Sequence, residues 1–265
     1  MLRLTLRNLF ARKVRLLMSG LSVILGVAFL SGVLTFSHGL GSTFDNIING
    51  STPDGVVRAE GSEDVDQTVS GQSEQILDPT IVDRLADLPE VARADGDVVG
   101  IGMSLLASDG TVVGGTGAPT LSFNHSDAPN MKGETILDLT AGSWPDEAGE
   151  VVIDASSAER GGYQIGDRVK LLAPFGKLQR QATLVGTAEF NGGGTAGATI
   201  LVFDTAQAQK IFLGGKDVFN QISLTAAPGV SQSELAQAAS AVAPAGFEAV
   251  TGDKVAQESE DAFGS

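Results

Sequence analysis

Cysteine is absent from the chain, so neither disulfides nor thiolate metal sites are available to it. Histidine is nearly absent too: His38 and His125 are the only two, fewer than the three or four ligands that zinc takes. Aromatic residues make up 5% of the chain, with one tryptophan and one tyrosine. Positive charge is scarce after the first fifteen residues. Beyond Arg15 there are 12 basic against 32 acidic residues, a net of −20, with no basic patch interleaved with aromatics. Such a surface repels nucleic acid, which is therefore not an expected partner. Long apolar runs are also missing, with one exception at the start.

That exception spans Leu16 to Phe36, 21 residues without a charge, of which twelve are Leu, Ile, Val or Phe. As a helix it would rise about 31 Å, matching a hydrocarbon core of roughly 30 Å. Its large apolar residues favour insertion by about 4 to 7 kcal/mol, and no charge opposes them. A cleaved signal peptide has a shorter apolar core, of about 7 to 15 residues, and a small-residue cleavage motif that is not found after Phe36. The reading is a retained transmembrane helix in the lipid bilayer.

Five basic residues, Arg3, Arg7, Arg12, Lys13 and Arg15, precede the run. Basic residues beside a span stay cytoplasmic, so the N-terminus is expected inside and the acidic bulk outside, anchored in the plasma membrane. Within the span, Ser22 and Gly26, then Ala28 and Gly32, stand four apart. Small residues at that spacing allow close helix packing in lipid.

The exported part is expected to be α+β. The segment "DPTIVDRLADLPEV" reads as a helix capped by Asp78 and opened by Pro79, with Ile81, Val82, Leu85 and Leu88 on one face. Asp109-Gly110 marks a tight turn between strands. Strands follow densely from Glu150, and "SQSELAQAASAVAP" opens with a capping box, Ser231 and Glu234. The expected organisation has four parts. Residues 1–48 form the basic N-terminus, transmembrane helix and stalk. Residues 54–130 and 219–252 form a discontinuous α+β lobe, interrupted by a β-rich lobe over 131–218. Residues 253–265 begin a helix leading toward further membrane segments.

Chemistry is thin. "FLGGKDV" and "PFGKLQ" contain Gly-Lys but lack the spacing of a phosphate-binding loop. "GGGTAG", residues 192–197, matches G-x-G-x-x-G but precedes a strand rather than a helix, and reads as a flexible hairpin loop. No G-x-S-x-G or H-E-x-x-H occurs. The cluster Glu63, Asp64, Asp66 lacks the spacing of a calcium loop. Trp144 reads as a packing anchor. Catalytic, cofactor-binding and metal-ligating residues are therefore expected to be none, and no cofactor is expected.

Five ordered stretches carry a family resemblance: "RNLFARKVRLLMSGLSVILGVAF" at the start, "LADLPEV" over Leu85–Val91, "AGSWPDEAGEVVID", "GYQIGDRVKL" and "ATLVGTAEF". Together they resemble the first transmembrane helix and extracytoplasmic core domain of FtsX/MacB-type ABC transporter permeases. The resemblance implies a permease subunit without enzymatic activity of its own. Its implied partners are a separate cytoplasmic ABC ATPase and a second permease subunit, as a homo- or heterodimer. Members of that family continue into three more transmembrane helices, so a truncated chain is the expectation. The alternative is a single-span anchored binding or regulatory module, and an anchored hydrolase comes third.

Overall fold

The computed structural model describes residues 18, 21–31, 48, 50–62, 75–114, 120–173, 179–191, 193–195 and 197–264. The chain forms two units, Met1–Phe44 and Asp45–Ser265. In the first, residues 21–31 are helical with every side chain exposed. Among the described residues no helix is long and apolar enough to cross a membrane. Of the span expected over Leu16–Phe36, Met18 and residues 21–31 are described, and the other nine residues lie outside them.

The second unit is α+β, built on two sheets. The first sheet comes from both ends of the unit. It has the order β12-β1-β11-β2, from β12 (Phe247–Thr251), β1 (Gly55–Ala59), β11 (Gln221–Ala226) and β2 (Val91–Asp97), all antiparallel. Helix α1 (Pro79–Ala86) joins β1 to β2, and a second helix, α4 (Gln232–Ser240), joins β11 to β12. Two strand-helix-strand halves interleave here so that β1 and β11 lie at the centre, the split βαβ arrangement. Asp78 caps α1 by accepting from the Thr80 amide at 3.0 Å, while Ile81 and Leu85 turn inward. Around Gln232–Ser240, Ser231 and Glu234 satisfy each other's backbone donors, and Leu235 and Ala239 are buried. These side chains close one core with Val57, Leu77, Ile222 and Leu224.

The second sheet lies between β2 and β11 in sequence. Its order is β3-β5-β10-β7-β9-β8-β4, with β6 also on β9. The strands are β3 (Val99–Ile101), β4 (Ser104–Leu106), β5 (Thr120–Asn124), β6 (Leu137–Gly142), β7 (Glu150–Asp154), β8 (Arg168–Leu172), β9 (Gln179–Phe190) and β10 (Thr199–Phe203). Helix α2 (Ala155–Gly161) follows β7, and helix α3 (Thr205–Phe212) follows β10. All five residues of β10 are buried, because apolar groups cover both faces. Leu201 and Phe203 join one core, Ile200 and Val202 the other.

Strand β9 changes allegiance midway. Ala182 and Leu184 face the first of these cores, while Ala188 and Phe190 face the second, although all four positions are even. The register against β7 skips Val185, pairing Val151 with Leu184 and Val152 with Gly186. One extra residue shifts alternation by one, so the strand swaps faces at this bulge. Three separated stretches converge there. The Gly166 amide donates to the Leu184 carbonyl at 2.7 Å, the Leu184 amide to Asp167 at 2.9 Å, and the Ser143 amide to Val185 at 3.1 Å. A side chain at Gly186 would strike the Ser143 and Ala141 carbonyls, so this position admits only glycine.

The glycine-rich loop after β9 differs from the expected hairpin. It joins β9 to β10, which lie on opposite sides of β7. It is therefore a crossover between non-adjacent strands.

Candidate functional site

Chemistry is not what the fold concentrates; connections are. Four segments meet where the chain enters β1 and leaves β12. The incoming segment ends as a helical turn, with the Thr52 hydroxyl donating to the Ile48 carbonyl at 2.6 Å. Pro53 follows, and the chain turns into β1. The outgoing helix α5 (Gly252–Gly264) starts against this turn, its Gly252 amide donating to the Asp54 carbonyl at 2.8 Å. Any side chain at Gly252 would collide with the Pro53 carbonyl and the Met131 sulfur. Asp54 reaches a third strand, its Oδ2 accepting from the Ala226 amide at 2.9 Å.

The loop after β5 closes this base. Asn130 is 1% exposed, and its amide bonds in both senses. Its Nδ2 donates to the Gly50 carbonyl at 3.0 Å, and its Oδ1 accepts from the amides of Lys132 at 2.8 Å and Glu134 at 3.0 Å. The Met131 amide donates to the Thr52 carbonyl at 2.8 Å. Gln232, at the start of the second helix of the first sheet, accepts from the Asp253 amide at 2.9 Å. The incoming turn, the helix α5 and both sheets are thus joined by hydrogen bonds, the Asn130–Gly50 bond among them buried.

An ion network fastens α5 to the back of the first sheet. Arg58, on central strand β1, lies 3.0 Å from Glu248 on β12 and 2.7 Å from Glu258 on α5. Lys254 stands 3.5 Å from both carboxylates. Burial works against the Arg58 charge, yet the hydrogen bonds and charges of Glu258 and Glu248 hold its pKa above the ordinary value. Burial likewise opposes the Glu258 charge, but Arg58 and Lys254 keep its pKa low. Removing either partner would leave a partly desolvated charge.

The sheets join along a second seam, where the chain crosses from β2 to β3 and returns before β11. Asn220 holds Val99 as a backbone strand would, accepting from its amide at 2.9 Å and donating to its carbonyl at 2.7 Å. Asn124 accepts from the Val98 amide at 2.7 Å and donates to the Gly96 carbonyl at 3.1 Å. The Phe219 ring covers Gly96, where a Cβ would meet ring atoms at 2.5 Å. Phe219 packs against the cores of both sheets.

Of the residues singled out in the sequence, Ser22, Gly26 and Ala28 lie on the exposed helix of the first unit. A Cβ at Gly26 would meet nothing within 4 Å. Arg3, Arg7, Arg12, Lys13, Arg15 and Gly32 lie outside the described residues, as do His38, Glu63, Asp64 and Asp66. His125 stacks on Trp144, ring centroids 4.3 Å apart, and its Nε2 is 3.8 Å from Asp127. Burial lowers the His125 pKa, against the pull of Asp127. Trp144 packs on the core of Val152, Phe190 and Ile200. Sequence reading passed over Asn130, Gly252, Arg58, Asn124, Asn220 and Phe219. The one available signal was polar or glycine residues flanking strand ends, and that is common to all loops.

A family model described as the MacB-like periplasmic core domain matches residues 16–242. No curated protein sequence matches the chain. Among solved structures, the chain is similar to the periplasmic region of MacB from Actinobacillus actinomycetemcomitans. The identity is 14% and the TM-score 0.50, over 81% of this chain and 96% of that one. It is also similar to the extracellular domain of the noncanonic ABC-type transporter YknZ from Gram-positive bacteria. There the identity is 11% and the TM-score 0.47, over 74% of this chain and 98% of that one.

Proposed function

Since the chain belongs to the family of MacB-like periplasmic core domains, we propose that it holds the first span and the extracytoplasmic domain of a bacterial ABC transporter permease subunit, coupling a partner's ATP hydrolysis to work outside the membrane. The observation that carries this reading is the base. Incoming turn, outgoing helix and both sheets share one hydrogen-bonded junction, so displacement of either connecting segment reaches the whole unit. The Arg58 network adds a lateral tie from α5 to the central strand.

In this reading the transmembrane helix lies over Leu16–Phe36, oriented N-terminus inward by Arg3, Arg7, Arg12, Lys13 and Arg15. Ser22, Gly26, Ala28 and Gly32 provide the contact with a second permease subunit, since small residues let helices approach in lipid. The ATPase is a separate chain in the cytoplasm. Nucleotide-driven movement of the membrane helices is passed through the base to the two sheets.

The test is co-purification followed by reconstitution. An ABC ATPase should accompany the protein from its native membrane, and vesicles containing both should hydrolyse ATP and perform transport. A flexible Gly/Ser stretch inserted near Gly39 should leave hydrolysis intact and abolish transport. Unchanged transport with the insertion would rule out coupling through this connection. Isolation without any ATPase would leave the single-span anchored module instead.

A further inference from the structure

We propose that Asp97 is a proton-operated latch on the joint between the two sheets. Asp97 is the last residue of β2, at the point where the chain crosses to β3. Its carbonyl accepts from the Asn220 amide at 3.1 Å, and its Oδ2 accepts from the Ser223 hydroxyl. Asp97 thus ties the outgoing segment at residues 97–99 to the returning one at residues 219–223, through its backbone at Asn220 and its carboxylate at Ser223.

The groups around it favour the protonated acid. Asp95, on its own strand, adds a like charge. Arg93 on that strand is engaged by Asp95 through two bonds of 2.6 Å. Strand β11 presents only the neutral Gln221 and Ser223. On β1, Arg58 is in register with Gln221, one strand further away, and is taken by Glu248 and Glu258. The loop after β5 brings the acid Asp127, which acts on Arg93, and His125, which burial keeps toward its neutral form. No cation is therefore aimed at the Asp97 carboxylate among these neighbours. Burial is the largest influence and, with Asp95, pushes its pKa up to about 7, against the hydrogen bonds of Ser223 and Gln221.

The consequence has a definite sign. Protonated, Asp97 sits in the joint without charge, and the Asn220 and Asn124 clasps hold residues 96–99. Ionised, it is half-buried and so partly desolvated, and it is repelled by Asp95; both are relieved when the end of β2 parts from β11 and admits more water. Acid closes the joint; neutral to alkaline conditions loosen it. An extracytoplasmic surface meets the pH of its surroundings, so a latch titrating near neutrality responds to them.

Backbone hydrogen exchange on the full chain in detergent micelles tests this, over about pH 5 to 8.5 and corrected for intrinsic exchange. Opening at Val98, Val99, Asn220 and Gln221 should rise by up to about tenfold per pH unit and level off above about 7, following the proton difference between closed and open forms. Asp97→Asn should flatten that profile while leaving the β10 amides unchanged. A flat wild-type profile would overturn the latch, as would a retained slope in Asp97→Asn. If the variant does not fold, the carboxyl carbon of Asp97 in the wild-type chain decides the matter by NMR. A titration midpoint near neutrality supports the latch, and one near 3.8 overturns it. Neither reading depends on transport or on an ATPase partner.

Discussion

Single residues here act through the protonation state that burial allows. His125 stacks on Trp144, and burial lowers its pKa below the free value of 6.5. The unfolded chain therefore binds the proton more tightly than the folded one. The stability this contributes is fully present above pH 6.5 and is lost as pH falls from there through the folded value. His125→Phe keeps a ring against Trp144 and removes the titration. Its urea midpoint should fall less than that of the wild type between about pH 7 and 5, and an identical slope would exclude His125 as the source. Asp97 has the opposite sign, its contribution being lost as pH rises toward 7. The sequence showed both residues. It could not show their surroundings, because Trp144 is nineteen positions from His125 and Ser223 far more distant from Asp97.

Among the elements, helices were the most legible, because their start signals are local. Asp78 and Pro79 open α1 as their chemistry predicts, and Ser231 with Glu234 opens the helix Gln232–Ser240. Ser231→Ala removes the acceptor for the Glu234 amide and should lower unfolding free energy by about 1 kcal/mol. Equilibrium urea denaturation measures this, and a change within error would mean the cap is redundant. Strands were legible as runs, as in "ATILVFD", but their neighbours were not. The motif stretches around Gly142, Gly166 and Gly186 each read as a short weak signal. In the structure they are one object, a bulge with two turns bonded to it, through which β9 swaps cores. The loop at residues 192–197 misled for the same reason: a strand after a strand suggests a hairpin, yet β7 lies between them.

For the whole unit, the question is whether two sheets behave as one body. Phe219 belongs to both apolar clusters, and Asn124 and Asn220 bind the crossing strands. Phe219→Ala opens a void at the seam and should remove about 2 to 3 kcal/mol of stability. Because the lost contact is the shared one, the thermal transition should broaden or split in calorimetry, while the wild-type unit unfolds in one step. A variant that melts earlier but equally sharply would show that the hydrogen-bonded base alone keeps the sheets cooperative. Such cooperativity is what the proposed force transmission needs, since a joint that yields independently would absorb displacement at the base.

By itself, the sequence determined composition-level and local facts. It separated a basic, apolar leader from an acidic α+β body, located the helix caps and most strand runs, and supplied ordered motifs specific enough to indicate a family. Those properties depend on neighbouring residues or on sums over the chain. Tertiary structure alone decided strand order, the face swap at Val185, the pairing of Asn130 with Gly50, the partners of Arg58, and the groups gathered around Asp97. Each of these joins residues tens to hundreds of positions apart, and one sequence carries no signal for that proximity. Folding brings them together because the two cores must close, and the polar groups at the seams then find partners wherever the packed sheets leave them.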